Sequence, residues 1–177
     1  TGWHTEWMTG ETSFGGIDKP EDPYLEFQKL VNGWNPYEAD QYAELDSDWD
    51  GPTGSVTGEP ASVAISQDLA TVPGYVYKVS FAFSPRPGED YSNNHLEFSW
   101  DGSVMGTYQA TSSSNTDWHA HTYYLLADDT TTTLKFKDLG TADSFGTFVD
   151  AVSVKCEPEP PQPECGDGVK EGAEECD

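Results

Sequence analysis

Basic residues are scarce in this chain: eight Lys and Arg stand against 32 Asp and Glu, a net charge of −24 over 177 residues. A surface so short of cations has nothing with which to hold phosphate backbones or anionic headgroups, which excludes nucleic acid and membrane surfaces as partners. No apolar run approaches the roughly 18 residues that a helical span requires, so membrane insertion is not expected. No basic start or apolar leader precedes Thr1-Gly2-Trp3, as expected of a mature, processed chain. No window carries a sustained helical apolar stripe. Neither a Ser–His–Asp nor a Cys–His arrangement nor a phosphate loop is present, and most carboxylates fall in turns, so the chain does not read as an enzyme.

What is present is aromatic and turn-rich. Six Trp, nine Tyr and eight Phe make up 13% of the residues, enough for a sandwich core or a flat binding face. Ten runs read as strands: Trp3–Met8, Tyr24–Lys29, Gln41–Asp46, Ala61–Leu69, Tyr75–Ser84, Leu96–Trp100, Ser103–Gln109, Trp118–Leu126, Thr131–Lys137 and Gly146–Lys155. Alternation is plain in the fifth, where Tyr75, Tyr77, Val79, Phe81 and Phe83 share one side of the pleat. In the ninth, Thr132, Leu134 and Phe136 oppose Thr133, Lys135 and Lys137. In the last, unbroken alternation sets Phe148, Val152 and Val154 against Thr147, Val149 and Ala151. Turns at Val72-Pro73-Gly74, Pro85-Arg86-Pro87-Gly88 and Asp128-Asp129 separate the runs, and Asp101-Gly102 is a strong hairpin signal. The expectation is an all-β sandwich over residues 1–155.

Beyond it the chain changes character. Residues 156–164 hold four prolines and read as a stiff, extended Pro/Glu-rich linker, with a Cys-rich fragment at 165–177. The three cysteines, Cys156, Cys165 and Cys176, are odd in number, so one bridge leaves one thiol for an intermolecular bond. Such cysteines fit an oxidising compartment, hence a secreted or cell-surface protein.

Several segments together resemble a known family. They are Tyr42-Ala43-Glu44-Leu45-Asp46-Ser47, Ile65-Ser66-Gln67-Asp68-Leu69, Pro73-Gly74-Tyr75-Val76-Tyr77, Val79 to Arg86, and Gly146 to Val154. In this order they resemble the galactose-binding-domain-like β-sandwiches, in the carbohydrate-binding-module-like and DUF642-like group. The resemblance implies a jelly-roll β-sandwich and places a structural calcium ligand at Asp150. Such relatives usually open with a short strand that helps to bind that calcium; this chain begins after that point, so a neighbouring chain is expected to supply the strand if the sequence is not truncated. The tail resembles Cys-rich repeats of bacterial surface proteins through Cys165-Gly166-Asp167-Gly168 and Glu174-Glu175-Cys176-Asp177, which suggests a Cys165–Cys176 bridge with Cys156 left for an intermolecular bond.

Two constellations stand out. Asp46, Asp48 and Asp50 alternate before Gly51, as oxygens at steps of two do when a loop wraps calcium; Asp143 is a further candidate ligand. An acidic, oxygen-rich surface prefers such hard cations, so calcium is the expected cofactor. The tail acids Asp167, Glu171, Glu175 and Asp177 offer a second calcium locus. By strand parity Glu44 and Asp46 share a face with Tyr42, and Arg86 reaches the same side. With Trp34, Tyr37 and Trp49, these residues offer planar platforms and paired polar groups of the kind that bind sugar. His119 and His121 share a strand face too, but two imidazoles without a third ligand read as an exposed polar face. The expected role is a calcium-stabilised carbohydrate-binding module acting in adhesion. The alternative is a filament or sheath subunit built by strand donation, calcium and an intermolecular disulfide, with identical subunits as partners.

Overall fold

The computed structural model describes residues 2–8, 13–14, 17–48, 60–89, 94–109 and 117–157. Its strands, in chain order, are β1 (His4–Trp7), β2 (Ser13–Phe14), β3 (Ile17–Asp18), β4 (Glu26–Gln28), β5 (Tyr42–Glu44), β6 (Asp46–Asp48) and β7 (Pro60–Ala70). There follow β8 (Val76–Ser84), β9 (His95–Trp100), β10 (Ser103–Gln109), β11 (His119–Leu126), β12 (Thr131–Asp138) and β13 (Phe148–Cys156). One sheet runs in the order β1-β7-β12-β9-β10, with β6 also paired to β7; the other runs β11-β8-β13-β5-β4; β2 and β3 form a small hairpin. The pairings are antiparallel throughout, which makes the fold a two-layer antiparallel β-sandwich of jelly-roll type.

All ten expected runs appear as strands. Gln41–Asp46 divides into β5 and β6 because the chain crosses from one sheet to the other at Leu45. The Leu45 N–H donates to the Thr147 carbonyl at 3.0 Å, and its carbonyl accepts from the Val63 N–H at 2.8 Å. Turns form where the sequence marks them. The Tyr75 N–H closes on the Val72 carbonyl at 3.1 Å, with Gly74 at φ 85°, as a Pro-Gly type II turn requires. Asp101 and Gly102, at φ 49° and 76°, make the two-residue β9–β10 hairpin turn that matches strand twist.

The core is aromatic. Tyr77, Val79, Phe81 and Phe83 of β8 face Leu134 and Phe136 of β12 and Leu96, Phe98 and Trp100 of β9, all buried. Phe81 lies at the centre, its ring 5.1 Å from Phe98 and 4.9 Å from Phe136.

β13 departs from its expected alternation. Its register against β8 slips between Asp150 and Ser153, and Ala151 there adopts φ 52°. One extra residue in a left-handed conformation is a β-bulge, and it inverts the faces downstream. Val149, Val152 and Val154 therefore all pack toward the core, and Phe148 does not share a face with the last two. Beyond the bulge, β13 has no second strand neighbour among the described residues. β5 pairs only with Phe148 and Val149, and a cleft of about 470 Å³ opens nearby, lined by Trp3, Leu25, Phe27, Ile65 and Val152 among others.

Cys156 closes β13 as an exposed free thiol. Trp49, Asp50, Cys165, Cys176, the tail acids and most of the Pro/Glu-rich linker lie outside the described residues. Among the described residues no helix is long and apolar enough to cross a membrane.

Candidate functional site

The outer face of the second sheet collects most of the residues that the sequence singled out. Register gives its rows across β11, β8 and β13: Ala120, Ala82 and Asp150; then Thr122, Ser80 and Ser153; then Tyr124, Lys78 and Lys155. Above the first row Ser84 lies opposite Phe148, and Phe148 opposite Glu44. Trp118, one step before β11, has the parity of Ala120 and belongs to this face.

Arg86, Glu44 and Asp46 meet around the loop 143–146. Arg86 Nη1 forms an ion pair with Glu44 Oε1 and donates to the Ser144 carbonyl at 3.1 Å, while its guanidinium lies 4.6 Å over the Phe145 ring. Glu44 Oε1 also accepts from the Gly146 N–H at 3.0 Å. From the other side, Asp46 Oδ2 accepts from the N–H groups of Asp143 and Ser144 at 2.8 and 3.1 Å. Gly146 lets the loop come so near, because a Cβ there would run into the main chain of Asp46. Glu44 and Asp46 are both 0% exposed. They act on the loop and not at the surface.

That burial sets their protonation. It lifts Glu44 to about 7, although Arg86 pulls the other way. It lifts Asp46 to about 7 against its two N–H donors, with Asp138 and Asp143 adding repulsion. Asp138, capped by the hydroxyls of Ser62 and Thr147, is raised by burial to about 6. Glu44 Oε2 and Asp46 Oδ1 are buried and meet no hydrogen-bond partner among the described residues.

Beside the clamp stands an aromatic ledge. Tyr42 is buried, with its ring 4.5 Å from Phe148 and 5.6 Å from Trp118. Tyr37 extends the group outward, 6.1 Å from Trp118 and 50% exposed. The loop that carries Trp34 and Tyr37 is tied down at three points. The Tyr42 hydroxyl accepts from the Val31 N–H, Asp150 Oδ2 accepts from the Tyr37 and Glu38 N–H groups at 2.8 and 3.0 Å, and the Trp118 Nε1–H donates to the Asn35 carbonyl at 2.9 Å. Trp34 is half-buried, and its Nε1–H is buried without a partner among the described residues.

Of the sugar-site candidates, the structure brings Tyr37, Glu44 and Arg86 to this face with Trp34 on the loop over it, and carries Asp46 to the far side of the 143–146 loop. Trp49 lies outside the described residues. Trp118 and Tyr124 were missed. Their signal was the alternation of Trp118, Ala120, Thr122 and Tyr124 against the histidines.

The described calcium candidates fall in two places. Asp46 and Asp143 meet at the loop, while Asp150 stands elsewhere, its carboxylate filled by three N–H donors including that of Ala151 at 2.6 Å. The side chains of Asp48 and Asp50 lie outside the described part. Among the described residues no three His, Cys, Asp or Glu converge as a metal would require. His119 and His121 point inward, not to an exposed polar face: their rings lie 6.4 Å from Phe83 and 5.3 Å from Phe81. Burial lowers the pKa of His121, with His119 adding to it.

The fold is that of a carbohydrate-binding-module-like β-sandwich. A family model described as protein of unknown function (DUF642) matches residues 55–155, and the chain belongs to that family. No curated protein is similar to it in sequence. Among solved structures it resembles a family 61 carbohydrate-binding module in complex with β-1,4-galactotriose, at 14% identity and TM-score 0.50 over 88% of each chain. It also resembles the xylanase 10B of Clostridium thermocellum, a family 22 binding module joined to a catalytic module and complexed with xylohexaose, at 14% identity and TM-score 0.50. That match covers 97% of this chain and 27% of that one. The tailspike protein 4 of bacteriophage CBA120 is similar at 10% identity and TM-score 0.51, over 89% of this chain and 20% of that one. At these identities the likeness is one of fold.

Proposed function

We propose that this domain binds a carbohydrate, without catalysis, on the outer face of its second sheet, as an extracellular or cell-surface module. The observation that carries this reading is the Tyr37–Trp118 ledge, in which the Tyr37 ring is 50% exposed. An exposed ring accepts the C–H face of a pyranose. Two proteins of similar fold are seen in complex with glycans, galactotriose in one and xylohexaose in the other, which supports the class of ligand. The two carboxylates beside the ledge, Glu44 and Asp46, are fully buried in the clamp and present no acid–base pair to a ligand.

The test is titration calorimetry against neutral β-linked oligosaccharides, galactan and xylan included. Tyr37→Ala and Trp118→Ala should each weaken binding about tenfold or more while the fold survives. Absence of binding across the panel, or wild-type affinity in both variants, would refute the site.

A second reading has its own observation. The edge of β13 beyond Val149 has no strand neighbour on the β5 side among the described residues, and the apolar cleft lies beside it. An unpaired edge next to an apolar slot is what strand addition uses, and a second copy would make the chain a filament subunit. Calcium enters through the buried, unpartnered Asp46 Oδ1, which with Asp48 or Asp50 would hold the ion. Light scattering with calcium and then chelator separates the readings. A calcium-dependent polymer favours the filament, and a monomer in both conditions favours the module.

A further inference from the structure

The lower end of the same face holds an arrangement that the sugar ledge does not use. Lys78 of β8 and Lys155 of β13 are direct cross-strand partners on the outer side of the sheet. Like charges directly opposite destabilise a sheet. Here they are conspicuous, since the chain has only eight basic residues against 32 acids. Ion pairs among the described residues use Arg86, Lys135 and Lys137; none uses Lys78 or Lys155. In a chain of net charge −24, two adjacent cations with no carboxylate ion-pair partner among the described residues form a local sink for anions. Tyr124 completes the row on the other side of Lys78, 63% exposed, with the Lys78 ammonium 5.9 Å from its ring centre.

This row continues the ledge. Between them lie Ala120 and Ala82, then the hydroxyls of Thr122, Ser80 and Ser153, on a floor of small side chains. Tyr124, beside Lys78, is six residues along the chain from Trp118 of the ledge, about 20 Å at roughly 3.3 Å per residue, so a ligand touching both ends is an oligosaccharide. We propose that Lys78 and Lys155 are the anion-recognising end of this track, taking a carboxylate or sulfate on a sugar ring seated against Tyr124. The inference rests on the glycan reading above and narrows its ligand to acidic oligosaccharides.

The experiment uses the whole chain and matched oligosaccharides of equal length: neutral galactan and mannan, the corresponding uronates, and their sulfate esters. Acidic forms should bind about tenfold tighter than neutral ones, with affinity that falls as salt rises. Lys78→Gln and Lys155→Gln should each remove most of that preference and leave neutral binding unchanged. Circular dichroism should show both variants folded as the wild type, so that a lost preference reports a lost contact. Whether the uronate or the sulfate ester responds to the lysines identifies the source of the anion. Equal affinity for neutral and acidic forms, or a preference that survives both substitutions, overturns this inference while the ledge stands. Absence of binding to any of them overturns the glycan reading and this one together.

Discussion

Asp46 shows how one side chain can look like a ligand and serve as a fastener. Its place in an acidic, alternating stretch suggests a cation, yet Oδ2 is spent on two backbone N–H groups. Oδ1 is left buried near Asp138 and Asp143, which repel it. Replacement by Asn keeps an acceptor for the N–H groups and removes the charge. Asp46→Asn should therefore stabilise the domain by about 1 kcal/mol at about pH 8 and leave it unchanged at about pH 3, where Asp46 is protonated in the folded and the unfolded chain alike. Thermal melts at both pH values check this. The same variant tests the cation: if calcium sits here, it raises the wild-type melting temperature and not that of Asp46→Asn. Arg86 and Glu44 lay within reach of sequence reasoning because parity along β5 and β8 put them on one side. Their engagement with Ser144 and Gly146 did not, since those contacts join residues 58 and 102 positions apart.

At the scale of the element, β13 is the instructive strand. Its sequence alternates as if regular, and the bulge at Ala151 is invisible in it, since an alanine at φ 52° carries no signal of the kind glycine gives. The conformation is held by neighbours: Asp150 accepts from the Ala151 N–H and pins the Tyr37 loop with its other oxygen. A left-handed alanine costs roughly 1 kcal/mol, so Ala151→Gly should raise stability by up to about that amount, and Ala151→Val should lower it by more. Chemical denaturation of both variants measures this. If Ala151→Gly is clearly destabilising, the bulge is not strained. By contrast β8 and β12 were fully legible, because each buries one face and leaves the other outside the core.

For the whole molecule, charge decides the response to solution conditions. Glu44, Asp46 and Asp138 have ordinary values of 4.5, 3.8 and 3.8 and are lifted in the fold to about 7, 7 and 6. The folded state therefore binds protons that the unfolded state has released. Their contribution to stability is fully present below about pH 4 and is lost as the pH rises through 6 to 7. The remaining surface, at net −24, repels itself more strongly as the pH rises. The melting temperature should accordingly be higher at about pH 5 than at about pH 8, and added salt should narrow the gap by screening the surface term. A melting temperature that rises with pH over this range would contradict these assignments.

The sequence by itself determined the class of fold, the count and order of the main strands, the turns at Gly74 and Gly102, and the acidity of the surface. These are local: period-two patterning, glycines at left-handed positions and summed charge need no knowledge of distant contacts. Only the tertiary structure decided which acids are buried, where β13 slips, and that Trp118 packs against both Tyr37 and Tyr42 above one sheet face. Those facts depend on chain segments that approach each other only after the layers close, as when Asp150 accepts from the Tyr37 and Glu38 N–H groups more than a hundred residues earlier. The lysine row is of the same kind: Lys78 and Lys155 lie far apart in sequence and become neighbours only because β8 and β13 pair in this register.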